Sequence, residues 1–169
     1  MNLVKEYWDS CLWISYLNDL PEEKGKVDII DILIRKAQKP NSNILIVVST
    51  IVLAEIQPRD NYNQIHYQEI REMFYKARHF IKVQAVTSPI ADIASQFRTN
   101  NPNVNLFDAI QMSTAALEGC HVLYTLDGSG QRQRPYDILK FNGVVMAPGL
   151  PPLNIQVPVM PPDSQLSLT

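Results

Sequence analysis

Residues 105–127, NLFDAIQMSTAALEGCHVLYTLD, read as a helix running straight into a short apolar strand. Asn105 to Glu118 is the predicted helix, closed by Gly119, and His121 to Thr125 the predicted strand. Asp108 opens the helix and Asp127 follows the strand. Working outward, the same alternation covers the chain. Ser88-Pro89 is read as an N-cap with proline at the first helical position, opening a helix with Ile90, Ile93, Ala94 and Phe97 at helical spacing. Phe80 to Val86 alternates as a strand. Tyr62 to Arg78 is the longest helical pattern, with Ile65, Ile70, Met73, Phe74 and Ala77 inward. Thr50 to Gln57 is a short helix stopped by Pro58. Ile44 to Val48 is a continuous β-branched run expected of a strand buried on both faces. Lys24 to Lys39 is a helix, and Leu3 to Trp8 an extended segment ending in Asp9-Ser10 before a helix that stops at Pro21. Val144 to Ala147 is a candidate last strand. Strands separated by helices predict a three-layer α/β/α sandwich around a mostly parallel sheet of four or five strands, with right-handed crossovers.

The 169 residues have room for one domain, and 46% hydrophobic with 19% charged residues excludes disorder throughout. We divide the chain into a domain over 1–147 and a Pro-rich arm over 148–169. The arm holds six of the twelve prolines, and its alternation Leu153, Ile155, Val157, Val159 suits either an extended arm on a surface or partner, or a disordered tail. The net charge of −2 gives no global attraction for nucleic acid, so such binding needs local basic patches. Cys11 and Cys120 suit free thiols in a reducing compartment, with Cys11 packing as a small apolar group. The opening MNLVKEYW lacks the apolar core of a signal peptide, and Ile44 to Ile56 is interrupted by Ser49, Thr50 and Glu55. The expectation is a cytoplasmic protein that spans no membrane.

Four acids fall where the carboxyl edge of such a sheet lies: Asp9 after the first strand, Glu55 in the helix after the second, Asp108 at the helix before the fourth, and Asp127 after the fourth. Each has an ordinary structural explanation. Asp9 suits a helix N-cap, Asp108 a capping box with Asn105, Asp127-Gly128 a turn, and Glu55 a solvated helix position. Gathered at one edge they repel, by roughly 4 kcal/mol for a pair ~4 Å apart at an effective dielectric of 20. A divalent cation reverses that sign, and an all-oxygen donor set without a His/Cys cluster selects Mg²⁺ or Mn²⁺ over zinc.

These pieces resemble the PIN-domain nucleases, the family that includes VapC-type toxins. The matching motifs are the opening strand with Asp9-Ser10, the Ser49-Thr50…Ala54-Glu55 helix, Asp108-Ala-Ile with Ala115 and Ala116, and Thr125-x-Asp127. The resemblance covers Leu3 to about Ala147. It implies a metal-dependent endoribonuclease in which Asp9, Glu55, Asp108 and Asp127 are the catalytic, metal-holding acids and Ser10 and Thr125 hydrogen-bond to them. It also implies an RNA substrate, an antitoxin partner and a homodimer.

Two basic surfaces are candidates for the RNA: Arg71, Tyr75 and Arg78 at i, i+4, i+7 spacing, and the loop from Gly128 to Arg134, which carries Arg132 and Arg134 beside Asp127. The loop glycines allow close approach of a phosphate. His66, His79 and His121 are scattered, and Trp8 and Trp13 suit the core, Trp13 with a second option of touching substrate. A phosphoryl-accepting receiver fold is disfavoured because no Asp-x-Asp follows the first strand and Lys140 is the only late lysine. The alternative from another class is a non-catalytic PIN-like module that binds RNA or protein.

Overall fold

The apolar run at 44–48 faces both ways. In the computed structural model, which describes residues 2–18, 24–56, 63–76, 78–130 and 134–161, β1 (Val4–Trp8) and β2 (Ile44–Ser49) pair in parallel, Val4 opposite Ile44 and Tyr7 opposite Val47. Tyr7 and Val47 enter the core on one face, whereas Trp8, Ile46 and Val48 enter the core on the other. Side chains alternate across a strand, so a strand covered on both faces reads as a near-continuous apolar run, as β2 does.

The remaining strands are β3 (Ile81–Gln84), β4 (Val122–Tyr124) and β5 (Ile155–Gln156), and the described residues form one five-stranded, all-parallel sheet ordered β3-β2-β1-β4-β5. Helices α1 (Ser10–Asn18), α2 (Lys24–Gln38) and α4 (Gln64–Tyr75) enclose one core, around Trp8, Leu12 and Ile30. Helices α5 (Ser88–Asn100) and α6 (Leu106–Leu117) enclose the second. The short α3 (Thr50–Glu55) leaves β2 directly, its start capped by the Ser49 hydroxyl accepting from Ile51 N–H. The architecture is the three-layer sandwich expected from the alternation. Among the described residues no helix is long and apolar enough to cross a membrane.

Several local expectations change. Thr87, not Ser88, takes the cap position of α5, without a side-chain hydrogen bond, and Ser88-Pro89 form its first turn, where a missing N–H costs nothing. The 62–78 helix is shorter: Asn63 caps α4 through bonds from Ile65 and His66 N–H, and the helix ends at Tyr75. Ile65, expected inward, is 71% exposed, because it sits in the opening turn beyond the reach of the core. Gln57, Tyr62 and Ala77 lie outside the described residues. Trp13 is fully buried between Trp8 and Phe74, with ring centroids 5.2 and 5.1 Å away, which removes it from any substrate surface.

The largest difference lies at the C-terminal end. Val144 to Ala147 is not a strand; two backbone bonds, Gly143 N to Leu153 O and Leu153 N to Val144 O, tie its start to the following segment. The fifth strand comes from the Pro-rich arm instead. Ile155 opposes Leu123, Thr125 N–H donates to Gln156 O at 3.0 Å, and Leu153 and Ile155 are buried. Pro158 follows, so the edge cannot pair further along its own length. Ile155→Ala is expected to cost about 2–4 kcal/mol. Thermal denaturation should show this as a fall in Tm of roughly 5–12 °C for a chain of this size.

Candidate active site

In an open parallel sheet the crevice forms where strand order reverses, beyond the carboxyl ends. Here the chain builds outward from β1 to β3 on one side and from β4 to β5 on the other, so the reversal lies between β1 and β4. Asp9 and Thr125 leave those two strand ends. Asp9 N–H donates to Tyr124 O at 3.0 Å, continuing the ladder one residue past β1. The Thr125 hydroxyl donates to Asp9 Oδ2 at 2.6 Å and accepts from Asp127 N–H at 3.0 Å, linking two acids through one oxygen. Cys11 Sγ also donates to Asp9 Oδ2, at 2.9 Å, and accepts from Leu126 N–H at 3.0 Å. The Ser10 hydroxyl donates to Asp9 Oδ1 at 3.3 Å. Cys11, expected to pack as an apolar group, is thus a polar partner of Asp9, because the first turn of α1 points it at the β4 end.

Glu55 closes α3, and Asp108 stands in the first turn of α6, which is capped by Asn105 accepting from Phe107 N–H. Among the described residues no donor reaches the Asp108 carboxylate, so the capping-box bond to Asn105 is not made. One turn further along α6, the fully buried Gln111 reaches Ser10 and Glu55. The sequence contained a signal for it: Gln111 is the one amide in the buried stretch from Ala109 to Ala116, whose other polar residues are the small Ser113 and Thr114.

Asp127 is held on both oxygens. Oδ2 accepts from Ile138 N–H at 2.8 Å and Oδ1 from Arg134 Nη2 at 3.3 Å. Arg134 is braced in turn by the buried Asp137, which accepts from its Nε at 2.7 Å and from its backbone N–H, and its guanidinium lies 4.9 Å from the centre of the Tyr136 ring. Gly128 adopts φ +88°, and a Cβ there would meet Asp137 Cβ at 2.9 Å. The freedom of this glycine therefore admits Asp137 rather than a phosphate. Asp137 escaped the sequence reading, although the Arg134-x-x-Asp137 spacing marks a local ion pair.

Charge accumulates here. Burial, then the charges of Asp9, Asp127 and Glu55, push the Asp108 carboxyl up to about 7, with Arg134 opposing. Burial raises Asp9 above the usual carboxylate range against the bonds from Cys11, Thr125 and Ser10, and Asp127 adds to the rise. Burial also raises Glu55, opposed by Ser10 and reinforced by Asp9. Asp9 and Asp108 therefore each lie within electrostatic reach of the other three acids. Among the described residues, however, no three His, Cys, Asp or Glu side chains form a group close enough to hold a metal ion as they stand. Glu55 and Asp127 are engaged by their own hydrogen-bond partners, and like charges keep apart.

The helical i, i+4, i+7 spacing expected of Arg71, Tyr75 and Arg78 is not kept, because α4 ends at Tyr75. Arg71 donates to the Tyr67 hydroxyl at 3.0 Å and stacks between Tyr67 and Tyr75, while Arg78 lies past the end of α4. There Arg78 lines a groove of about 810 Å³ between α2 and α4 that also carries Asp28, Asp31, Glu69 and Glu72, an acidic setting for a phosphate backbone. Arg132 lies outside the described residues.

No curated protein is significantly similar in sequence. The fold is similar to that of a toxin–antitoxin complex from Klebsiella pneumoniae, at 17% identity and a TM-score of 0.53, covering 92% of this chain and 99% of the other. It is similar also to VapBC2 from Rickettsia felis bound to a DNA fragment from its promoter (15% identity, TM-score 0.56, covering 91% and 98%). A third similar structure is the Mycobacterium tuberculosis toxin VapC20, described as cleaving the sarcin-ricin loop (16% identity, TM-score 0.53, covering 73% and 90%). At such identities the likeness concerns the fold. The sequence itself matches the model of the PIN domain over residues 7–133, a span that includes Asp9, Glu55, Asp108 and Asp127, and the chain belongs to the PIN-domain family.

Proposed function

We propose that this protein is a divalent-metal-dependent endoribonuclease, the toxin of a toxin–antitoxin pair, whose metal is held by Asp9, Glu55, Asp108 and Asp127. The observation that carries this reading is the position of Asp108, a half-buried carboxyl without a hydrogen-bond donor among the described residues and within electrostatic reach of Asp9, Asp127 and Glu55. A fold gains no stability from such an arrangement, and an oxygen-only donor set suits Mg²⁺ or Mn²⁺. The similar toxin–antitoxin structures support an antitoxin partner, and a homodimer and a cytoplasmic setting belong to the same reading.

When bound, the metal supplies Lewis acidity at the scissile phosphate and lowers the pKa of the attacking water. The protein's own groups orient the rest. Thr125, Cys11 and Ser10 fix the direction of the Asp9 carboxylate. Arg134, braced by Asp137, offers a cation at the rim of the site, where a phosphodiester oxygen can replace part of its contact with Asp127. In this reading Asp9 or Asp127 would orient the attacking water.

Incubation with total RNA and Mn²⁺ or Mg²⁺ should yield discrete cuts that EDTA abolishes. Asp9→Asn and Asp108→Asn should each lower the cleavage rate by about a hundredfold or more while the far-ultraviolet circular dichroism stays unchanged. Unchanged cleavage by Asp108→Asn would overturn the assignment.

The same charges predict a stability effect. An acid raised to about 7 in the fold, against 3.8 in the unfolded chain, destabilises the metal-free fold fully above pH 7 and not at all below pH 3.8. In EDTA, Asp108→Asn should therefore raise Tm above pH 7, with the gain shrinking as the pH falls toward 4. Mn²⁺ should raise the Tm of the wild type more than that of the variant.

A further inference from the structure

We propose that Gln111 is a positioning residue that fixes Glu55 for metal binding without neutralising it, an inference that rests on the nuclease reading above. The amide is fully buried, and four groups surround it. Oε1 accepts from Ser10 N–H at 3.2 Å and is approached by the Tyr7 hydroxyl at 3.5 Å. Nε2 donates to Glu55 Oε2 at 3.1 Å and to the Ser10 hydroxyl at 3.3 Å. Both donors and both acceptor sites of the amide are thereby addressed. Its orientation is determined: exchanging oxygen and nitrogen would set N–H against the Ser10 N–H and a carbonyl oxygen against a carboxylate.

Glu55 needs such support. It is the last residue of the six-residue α3, whose fully buried anchor is Val52, so no later turn of its own helix steadies it. Gln111 instead ties it to α6, a helix buried from Ala109 to Ala116. Asp108 lies three residues before Gln111 on that helix, on the same face. One rigid element therefore sets the position of one acid directly and of a second through an amide. The choice of an amide matters electrostatically. Arg134 brings a positive charge to Asp127, whereas Gln111 orders Glu55 and leaves its full negative charge for a cation.

Calorimetric titration of the full chain with Mn²⁺ tests this on the wild type, Gln111→Met, Glu55→Gln and the double variant. Gln111→Met keeps the side-chain length and loses the hydrogen bonds. It should weaken Mn²⁺ binding by about ten- to a hundredfold, and the double variant should bind no more weakly than Glu55→Gln alone, since Gln111 acts through Glu55. Wild-type affinity in Gln111→Met, or losses that multiply in the double variant, would overturn the proposal. Circular dichroism checks folding. If Gln111→Met does not fold, Gln111→Asn, whose amide stops one methylene short of Glu55, is judged by the same criteria. A wild type that binds no Mn²⁺ and leaves RNA intact overturns the nuclease reading and this inference with it. A wild type that binds and cuts, beside a Gln111→Met that binds equally well, overturns the positioning role alone.

Discussion

The Thr125 hydroxyl meeting Asp9 Oδ2 at 2.6 Å joins two strand ends separated by 116 residues of sequence. Placing a carboxylate in a buried position is costly unless donors replace the lost water. Thr125, Cys11 and Ser10 are those donors, and each is presented by backbone leaving β1 or β4. The parallel pairing of β1 with β4 is thus the constraint behind the site. It brings the donors to Asp9 and turns Asp127 N–H onto the same hydroxyl.

Around that junction the protein treats its acids differently. Asp127 is steadied by an arginine and a backbone amide, Glu55 by a neutral amide, and Asp108 by neither. Negative charge is consequently least compensated at the start of α6, where the helix dipole gives partial relief. An uncompensated charge stored in this way lowers the stability of the metal-free fold and favours whatever cation enters. The exchange of stability for binding is common at functional sites, where local strain persists because the surrounding structure holds it. Here the surrounding structure is two apolar cores, one on either side of the sheet, with α6 buried along most of its length.

Support also reaches the site from the far end of the chain. Gln156 O accepts from Thr125 N–H, so β5 helps hold the residue that holds Asp9. Asp137, set beneath Gly128, holds Arg134 at the rim. Neither contact touches the carboxylates' own chemistry. Both restrict the loop between β4 and β5, which joins two neighbouring parallel strands with only a 3-10 turn at Ile138–Phe141 among its described residues.

What the sequence determined alone is local. Period-two and period-3.6 patterns marked the order of strands and helices through β4, and the placing of Asp9, Asp108 and Asp127 at element ends followed from the same patterns, because both depend on neighbours a few residues away. The gathering of the acids needed one added rule, that crevices open at the carboxyl edge of parallel strands. Contacts of long separation were decided by the tertiary structure. The alternation Leu153, Ile155, Val157 marked the arm as extended but not where it docks, and the strand at Ile155–Gln156 exists because β4 offers an open edge. Gln111 and Cys11 acquire their partners only when α6, α1 and the β4 end converge, and Arg78 parts from Arg71 because α4 stops at Tyr75. A side chain's propensity is written in its own segment, whereas its hydrogen-bond partner is chosen by which distant segment the packed sheet sets beside it.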